Sequence, residues 1–163
     1  MTPPVYVAVC GPDPAPPEVA AQAEAVGRLL ARAGAVLVCG GLGGTMEAAA
    51  RGASAEGGVS IGLLPDPKRD RANPHLSYSI PTGMGEMRNA LVVRSADVVI
   101  AIAGEFGTLS EIAFALKTRT PVVGLSTWEL AKGGQPVEPF VRADGPDEAV
   151  RTALGLARPG SAR

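Results

Sequence analysis

The sequence predicts an α/β protein built on one doubly wound, mainly parallel sheet with helices on both faces. Three observations predict it. Runs such as Val5-Tyr6-Val7-Ala8-Val9-Cys10 and Val98-Val99-Ile100-Ala101-Ile102 are continuously apolar, as strands covered on both faces require. Ala-rich stretches of helical period alternate with them, which is the pattern of parallel strands joined by crossover helices. Two of the strand-to-helix junctions are rich in glycine.

The elements follow in order. The first strand covers residues 5–10, and a Pro-rich stretch leads into a helix over 18–33 that Gly34 stops. The second strand, 35–39, runs into Cys39-Gly40-Gly41-Leu42-Gly43-Gly44-Thr45-Met46-Glu47, which opens a helix over 45–56 ended by Gly57 and Gly58. A third strand spans 59–64. Residues 65–74 mix charge with Pro and Asn, so a mobile surface loop able to act as a lid is expected there. A short strand over 76–80 and a helix over 86–95 come next, then a strand over 97–102. It feeds the second glycine loop, Ala103-Gly104-Glu105-Phe106-Gly107-Thr108-Leu109-Ser110-Glu111. A helix over 108–118, a strand over 121–125 and a closing helix over 147–157 complete the chain. The expected organisation is one domain over 1–157 and a flexible tail over 158–163.

Composition excludes several classes. The chain has 163 residues, a formal net charge of −1, three lysines and 4% aromatic residues, which gives no basic surface for tracking a nucleic-acid polymer. No apolar run approaches the roughly 20 residues that span a bilayer, and no signal peptide opens the chain, so a soluble, cytoplasmic protein without membrane contact is expected. Cys10 and Cys39 each end a strand and read as small buried thiols. With His75 placed in an exposed loop, no metal site is expected.

Both glycine loops open helices at the carboxyl edge of the sheet, where ligands of such folds bind. A helix N-terminus offers unpaired N–H groups and partial positive charge, and glycine lets an anion approach them. Gly40, Gly41, Gly43, Gly44, Thr45 and Met46 in the first loop, and Gly104, Glu105, Phe106, Gly107 and Thr108 in the second, are therefore the candidate ligand-binding residues. Neither loop fits G-x-G-x-x-G followed by a strand-closing acid, nor G-x-x-x-x-G-K-[ST]. Dinucleotide oxidoreductases and P-loop enzymes are thereby disfavoured.

The spacing around the second loop carries a resemblance. Gly83-Met84-Gly85-Glu86-Met87-Arg88-Asn89 opens a helix, Asp97 stands nine residues after Arg88, and Gly104, Gly107, Thr108 and Glu111 follow. This resembles the Rossmann-like proteins called lysine-decarboxylase-like, which include the Lonely Guy (LOG) nucleoside monophosphate phosphoribohydrolases and the molybdenum cofactor carrier proteins. Gly40, Gly41, Gly44 and Met46 match the G-G-x-x-G-x-M region of the same superfamily. The resemblance implies Arg88 and Glu111 as the catalytic pair at a ribose and its glycosidic bond, with Thr108 and the Gly107 backbone holding a phosphate. The chemistry agrees, since a carboxylate can stabilise positive charge developing on a sugar while a guanidinium orients it.

Departures from the hydrolase pattern point to the carrier branch. Ala103-Gly104-Glu105 stands where hydrolases have Pro-Gly-Gly, and a carboxylate there repels a phosphate unless it turns away or pairs. Gly85-Glu86-Met87-Arg88-Asn89 lacks the hydrolases' His and Lys, and Gly11-Pro12-Asp13 replaces Gly-Ser after the first strand. The leading expectation is a binding protein for a phosphorylated small molecule, a nucleotide or a molybdenum cofactor-like pterin phosphate. The alternative is hydrolysis of nucleoside 5′-monophosphates. True lysine decarboxylation is rejected, because Lys68, Lys117 and Lys132 have no setting for a pyridoxal Schiff base. The resemblance also implies assembly of identical chains, a dimer or tetramer. Without it, Glu111 and Glu47 read as first-turn helix acids, Thr108 as an N-cap, and Arg88 as a surface partner of Glu86 or Asp97.

Overall fold

In the computed structural model, which describes residues 3–157, the six expected strands form one parallel sheet with a seventh, short strand that the sequence does not announce. Chain order is β1 (Tyr6–Cys10), α1 (Pro17–Arg32), β2 (Val36–Cys39), α2 (Gly44–Ala55), β3 (Val59–Leu64), β4 (Tyr78–Pro81) and α3 (Arg88–Arg94). Then come β5 (Val98–Ile102), α4 (Phe106–Lys117), β6 (Val122–Leu125), β7 (Leu130–Lys132), β8 (Gln135–Val137), β9 (Val141–Ala143) and α5 (Pro146–Leu156). The sheet order is β4-β3-β2-β1-β5-β6-β9, and β7 pairs with β8 as a separate antiparallel hairpin. The α/β Rossmann-like expectation is met. The expected tail over 158–163 lies outside the described residues.

The order of strands places the site. Pairing runs outward from β1 through β2 and β3 on one side, and from β5 through β6 on the other. The sense of winding therefore reverses between β1 and β5, which leaves a crevice beyond their carboxyl ends. The Val7↔Val98 and Cys10↔Ala101 register brings Gly11 and Ala103 to that crevice together.

Strand side chains alternate between two cores, as the two-residue period dictates. Val7, Val9, Leu37, Ile100 and Ile102 pack under α1, α2 and α5, while Ala8, Cys10, Val38, Val99 and Ala101 pack under α3 and α4. Each fully buried Val, Leu or Ile contributes roughly 1.5–3 kcal/mol of transfer free energy. The α1 and α2 helices cross closely at Gly27 and Gly52, where an added Cβ would stand 2.0 Å from the carbonyl oxygen of Ala49 or Glu24. Above that crossing, Glu24 joins Arg28 at 2.8 Å and Arg51 at 2.9 Å, and Glu56 joins Arg32 at 2.8 Å. These ion pairs are half-exposed and add little individually.

Several expectations shift. The helix expected over 86–95 starts as a 3-10 turn, Gly85–Met87, and is α-helical only from Arg88. The helix expected from residue 108 begins at Phe106, because the extended backbone of Glu105 already serves as its N-cap. The expected lid is fastened to the first glycine loop. Asn73 is buried, its N–H donates to the Gly41 carbonyl at 3.0 Å, and its Nδ2 donates to the Leu42 carbonyl at 3.0 Å. No helix among the described residues is long and apolar enough to cross a membrane.

Candidate functional site

Gly104 turns the chain at the end of β5 with φ +118°, a conformation that side-chain-bearing residues rarely adopt. Helix α4 therefore starts directly over the crevice. The Leu109 N–H donates to the Glu105 carbonyl at 3.0 Å, while the N–H groups of Phe106, Gly107 and Thr108 meet no acceptor among the described residues. No side chain caps this end. Its partial positive charge is left for something outside the chain.

The N-terminus of α2 differs. Thr45 is fully buried, and both its N–H (3.0 Å) and its hydroxyl (2.9 Å) donate to the Pro12 carbonyl. A Cβ built at Gly43 would lie 3.1 Å from the Asp13 carboxylate, and one at Gly44 would lie 2.5 Å from the Pro12 oxygen. The Gly11-Pro12-Asp13 segment thus folds over the first glycine loop and supplies an anionic side chain of its own there. Gly41, at φ +76°, packs beneath Leu64 and Gly62 instead of facing the crevice.

A cavity of about 350 Å³ lies between α3 and α4, and Gly40, Met46, Arg88, Gly107, Thr108 and Glu111 all line it. Six of the sequence-derived candidates thereby meet in one place. Gly41, Gly43, Gly44 and Thr45 are not on its wall. Gly104 and Glu105 line a neighbouring cavity, and Phe106 is exposed beside a third, its ring centroid 5.6 Å from that of Trp128.

Arg88 is 7% exposed, so the alternative reading of a surface pair with Glu86 or Asp97 does not hold. Asp97 instead accepts the Tyr6 N–H at 2.9 Å. One terminal nitrogen of Arg88 donates to Asn89 Oδ1 at 2.6 Å, Asn89 Nδ2 donates to Ser110 Oγ at 3.2 Å, and Ser110 Oγ donates to the Gly107 carbonyl at 2.6 Å. This chain ties the arginine to the first turn of α4. Its Nε is buried with no partner, and no carboxylate is within ion-pair distance of the guanidinium among the described residues. Burial pulls the Arg88 pKa down and Glu111 pushes it back up, yet a guanidinium stays charged. A buried cation without a counter-ion is costly unless an anion comes to it.

Glu111 is also 7% exposed. Burial pushes its carboxyl up to about 7, while the Cys10 thiol, as hydrogen-bond partner, and Arg88 pull the other way. At neutral pH it is a mixture of acid and carboxylate. Burial and Glu111 together raise the Cys10 thiol well above its usual range, so it is an inert neighbour. Cys39 is likewise free and buried, as expected. Glu47 lies near His75, 3.9 Å from its Nε2, and neither lines the cavity. Asp13, Asn89 and Ser110 were missed as site residues. Asn89 and Ser110 were visible only as neighbours of Arg88 and Glu111, and Asp13 reaches the site through a fold-back that no local pattern announces.

A family model described as the SLOG cluster4 family matches residues 4–150. The chain belongs to the SLOG cluster4 family. This SLOG protein is 41% identical over 129 residues to an uncharacterized protein of Archaeoglobus fulgidus, covering 79% of this chain and 81% of that one. Its fold matches that of the molybdenum cofactor binding protein from the phototrophic bacterium Rippkaea orientalis, with a TM-score of 0.87 and 32% identity over 97% of this chain and 100% of that one. The molybdenum cofactor carrier protein of Chlamydomonas reinhardtii matches at a TM-score of 0.81 and 28% identity, over 94% and 98% of the two chains. The expected LOG-like superfamily, on its carrier side, is the one that this SLOG protein joins.

Proposed function

We propose that the protein binds a phosphorylated small molecule, with the phosphate between Arg88 and the N-terminus of α4. The observation that carries this reading is the buried Arg88 guanidinium, with an orphaned Nε and no ion-pair partner, facing a cavity that Gly107 and Thr108, whose helix N–H groups are unpaired, also line. A phosphate supplies the missing acceptors for both. Similarity to proteins described as binding or carrying molybdenum cofactor supports a ligand-binding role and makes that pterin phosphate, carried as cargo, a leading ligand beside nucleotides. Gly40, Met46, Gly107 and Thr108 would shape the pocket, and Gly104 would set the angle of the helix. The proposal takes a small molecule in preference to a nucleic-acid polymer, and an assembly of identical chains, dimer or tetramer, which light scattering reads directly.

A second reading, hydrolysis of the N-glycosidic bond of nucleoside 5′-monophosphates, is favoured by one observation: Arg88 and Glu111 share the cavity. A buried carboxyl pushed up to about 7 suits holding a proton or giving one up, so it does not decide between the two readings. Binding comes first because the similar solved structures are described as binding or carrying a cofactor. Titration calorimetry with ribose 5-phosphate, AMP, GMP and molybdenum cofactor tests it, with base release followed in parallel. Binding lost in Arg88→Ala and no free base is the expected result. Release of base that Glu111→Gln abolishes would give the protein to the hydrolase reading, and failure of every phosphate to bind would refute both.

A further inference from the structure

A second cavity, of about 470 Å³, opens beside the Arg88 cavity. Its walls come from three loops at the switch point: Pro12, Pro14 and Pro16 after β1, Gly104 and Glu105 after β5, and Trp128 after β6. The loops are fastened to one another. The Thr127 hydroxyl donates to the Ala103 carbonyl, the Trp128 Nε1–H donates to the Glu105 carbonyl at 3.3 Å, and Arg142 donates to the Trp128 carbonyl at 2.9 Å.

Backbone strain concentrates on the same walls. Three non-glycine residues have positive φ among the described residues; two of them, Ala103 at 48° and Ser126 at 51°, line this cavity. Such strain persists where the surroundings hold a functional geometry in place. The two cavities also meet at the start of α4, because residues 104 and 105, just before the helix, line one and residues 107 and 108, in its first turn, line the other. A single residue, Phe106, separates the two stretches of wall, so one small molecule can reach both.

The chemistry of the wall is selective. Proline rings and an indole make a rigid apolar surface suited to the face of a flat heterocycle. Glu105 is the charged residue on it, and its carboxylate has no cation or hydrogen-bond partner among the described residues. A carboxylate accepts two hydrogen bonds side by side, so it favours a ring edge that presents two adjacent N–H donors. Adenine presents an acceptor nitrogen beside its amino group. A 2-amino-4-oxopyrimidine edge, shared by guanine and pterins, presents a ring N–H beside an amino group.

We propose that this second cavity is the ring subsite of the ligand whose phosphate occupies the Arg88 cavity, and that Glu105 selects a 2-amino-4-oxopyrimidine ring stacked against Trp128. The proposal rests on the phosphate reading above and adds the class of ring. Glu105, which would repel a phosphate, here serves the other end of the molecule.

The test uses the full chain, with titration calorimetry for affinity and the fluorescence of Trp128, the single tryptophan, as a local probe. Probes are ribose 5-phosphate, guanosine, GMP, AMP and neopterin monophosphate. GMP is expected to bind at least about tenfold tighter than AMP, with quenching of Trp128, in line with the worth of a bidentate base contact. Glu105→Gln is expected to cut that preference to about threefold or less, and Trp128→Phe to weaken GMP while leaving ribose 5-phosphate unchanged. Neopterin monophosphate tighter than GMP assigns the ring to a pterin and the reverse assigns it to guanine, and both outcomes support the proposal. Equal GMP and AMP affinities, or a preference that survives Glu105→Gln, overturn it. Ribose 5-phosphate bound without gain from any base would sink the ring subsite and spare the phosphate site. Guanosine bound as tightly as GMP would do the opposite.

Discussion

The Arg88 guanidinium occupies the space that a side chain at Gly40 would need: a Cβ there would stand 2.7 Å from both of its terminal nitrogens and 2.6 Å from the sulfur of Met46. Gly40 is thus the seat of the arginine, whatever else it touches. Both obstructing groups are the far ends of flexible side chains, so Gly40→Ala is expected to keep the fold, at a cost under about 1 kcal/mol, and to push the guanidinium off its seat. Affinity for ribose 5-phosphate should fall about tenfold or more by calorimetry, the scale of a lost charge-assisted contact. Unchanged affinity would show that the arginine does not hold the anion.

Removing the charge itself should separate stability from binding. In the ligand-free protein, Arg88→Met replaces a desolvated cation by a side chain of similar length and is expected to add about 1–3 kcal/mol. For a domain of this size that raises Tm by roughly 2–4 °C per kcal/mol. Phosphate binding should vanish in the same variant. A lower Tm with binding retained would mean that Arg88 is a structural residue.

Glu111 makes stability depend on pH in the direction opposite to a salt-bridged acid. Its folded-state pKa of about 7 exceeds the ordinary value of 4.5, so between these limits the folded state holds a proton that the unfolded state has released. Its favourable contribution is complete below pH 4.5 and is lost as pH rises through 7. The difference of about 2.5 units corresponds to roughly 3 kcal/mol. Glu111→Gln carries no such proton, and urea melts of the variant should show a flatter profile from pH 5 to 8 and higher stability than the parent at pH 8. Parallel profiles for the two proteins would place the buried titration elsewhere.

The sheet was legible because its strands are buried on both faces and so announce themselves as unbroken apolar runs. Gly40, Arg88, Thr108 and Glu111 were singled out because their spacing resembles a known family, and the fold brings all four to the wall of one cavity. Asp13 over the α2 N-terminus was not, because that contact depends on how the chain folds back after β1. Segments β7, β8 and β9, three residues each, are too short to show a period, and Trp128 entered the site on their approach unannounced. The surface pairing that Arg88 would have without the resemblance rests on charge alone, which predicts exposure; the fold instead buries it on the wall of a cavity.

Away from the site, Arg119 follows α4 in the left-handed region at φ 60° and is exposed. Its N–H donates to the Leu116 carbonyl at 3.3 Å, a helix-closing role that glycine performs without steric cost. Arg119→Gly is expected to stabilise the protein by about 1 kcal/mol, the scale of the left-handed penalty, measured by urea titration. A loss of stability would show that the arginine side chain contributes more than its backbone costs.

The α1–α2 crossing should be among the least tolerant parts of the fold. At Gly27 an added Cβ would be 2.0 Å from the Ala49 carbonyl oxygen, and at Gly52 the same distance from that of Glu24. The obstructing atoms are backbone, so they cannot rotate aside as the Arg88 side chain can at Gly40; the helices must move apart and open the packing of Ala23, Val26 and Ala53. Gly27→Ala is expected to cost about 3 kcal/mol despite alanine's better helix propensity. Because the two glycines serve one crossing, a helix pair spread by the first substitution already accommodates part of the second. The Gly27→Ala, Gly52→Ala double variant should therefore lose less than the sum of the singles, by at least about 0.5 kcal/mol in a denaturant cycle. Strict additivity would mean that each glycine is accommodated locally, without movement of the helix pair.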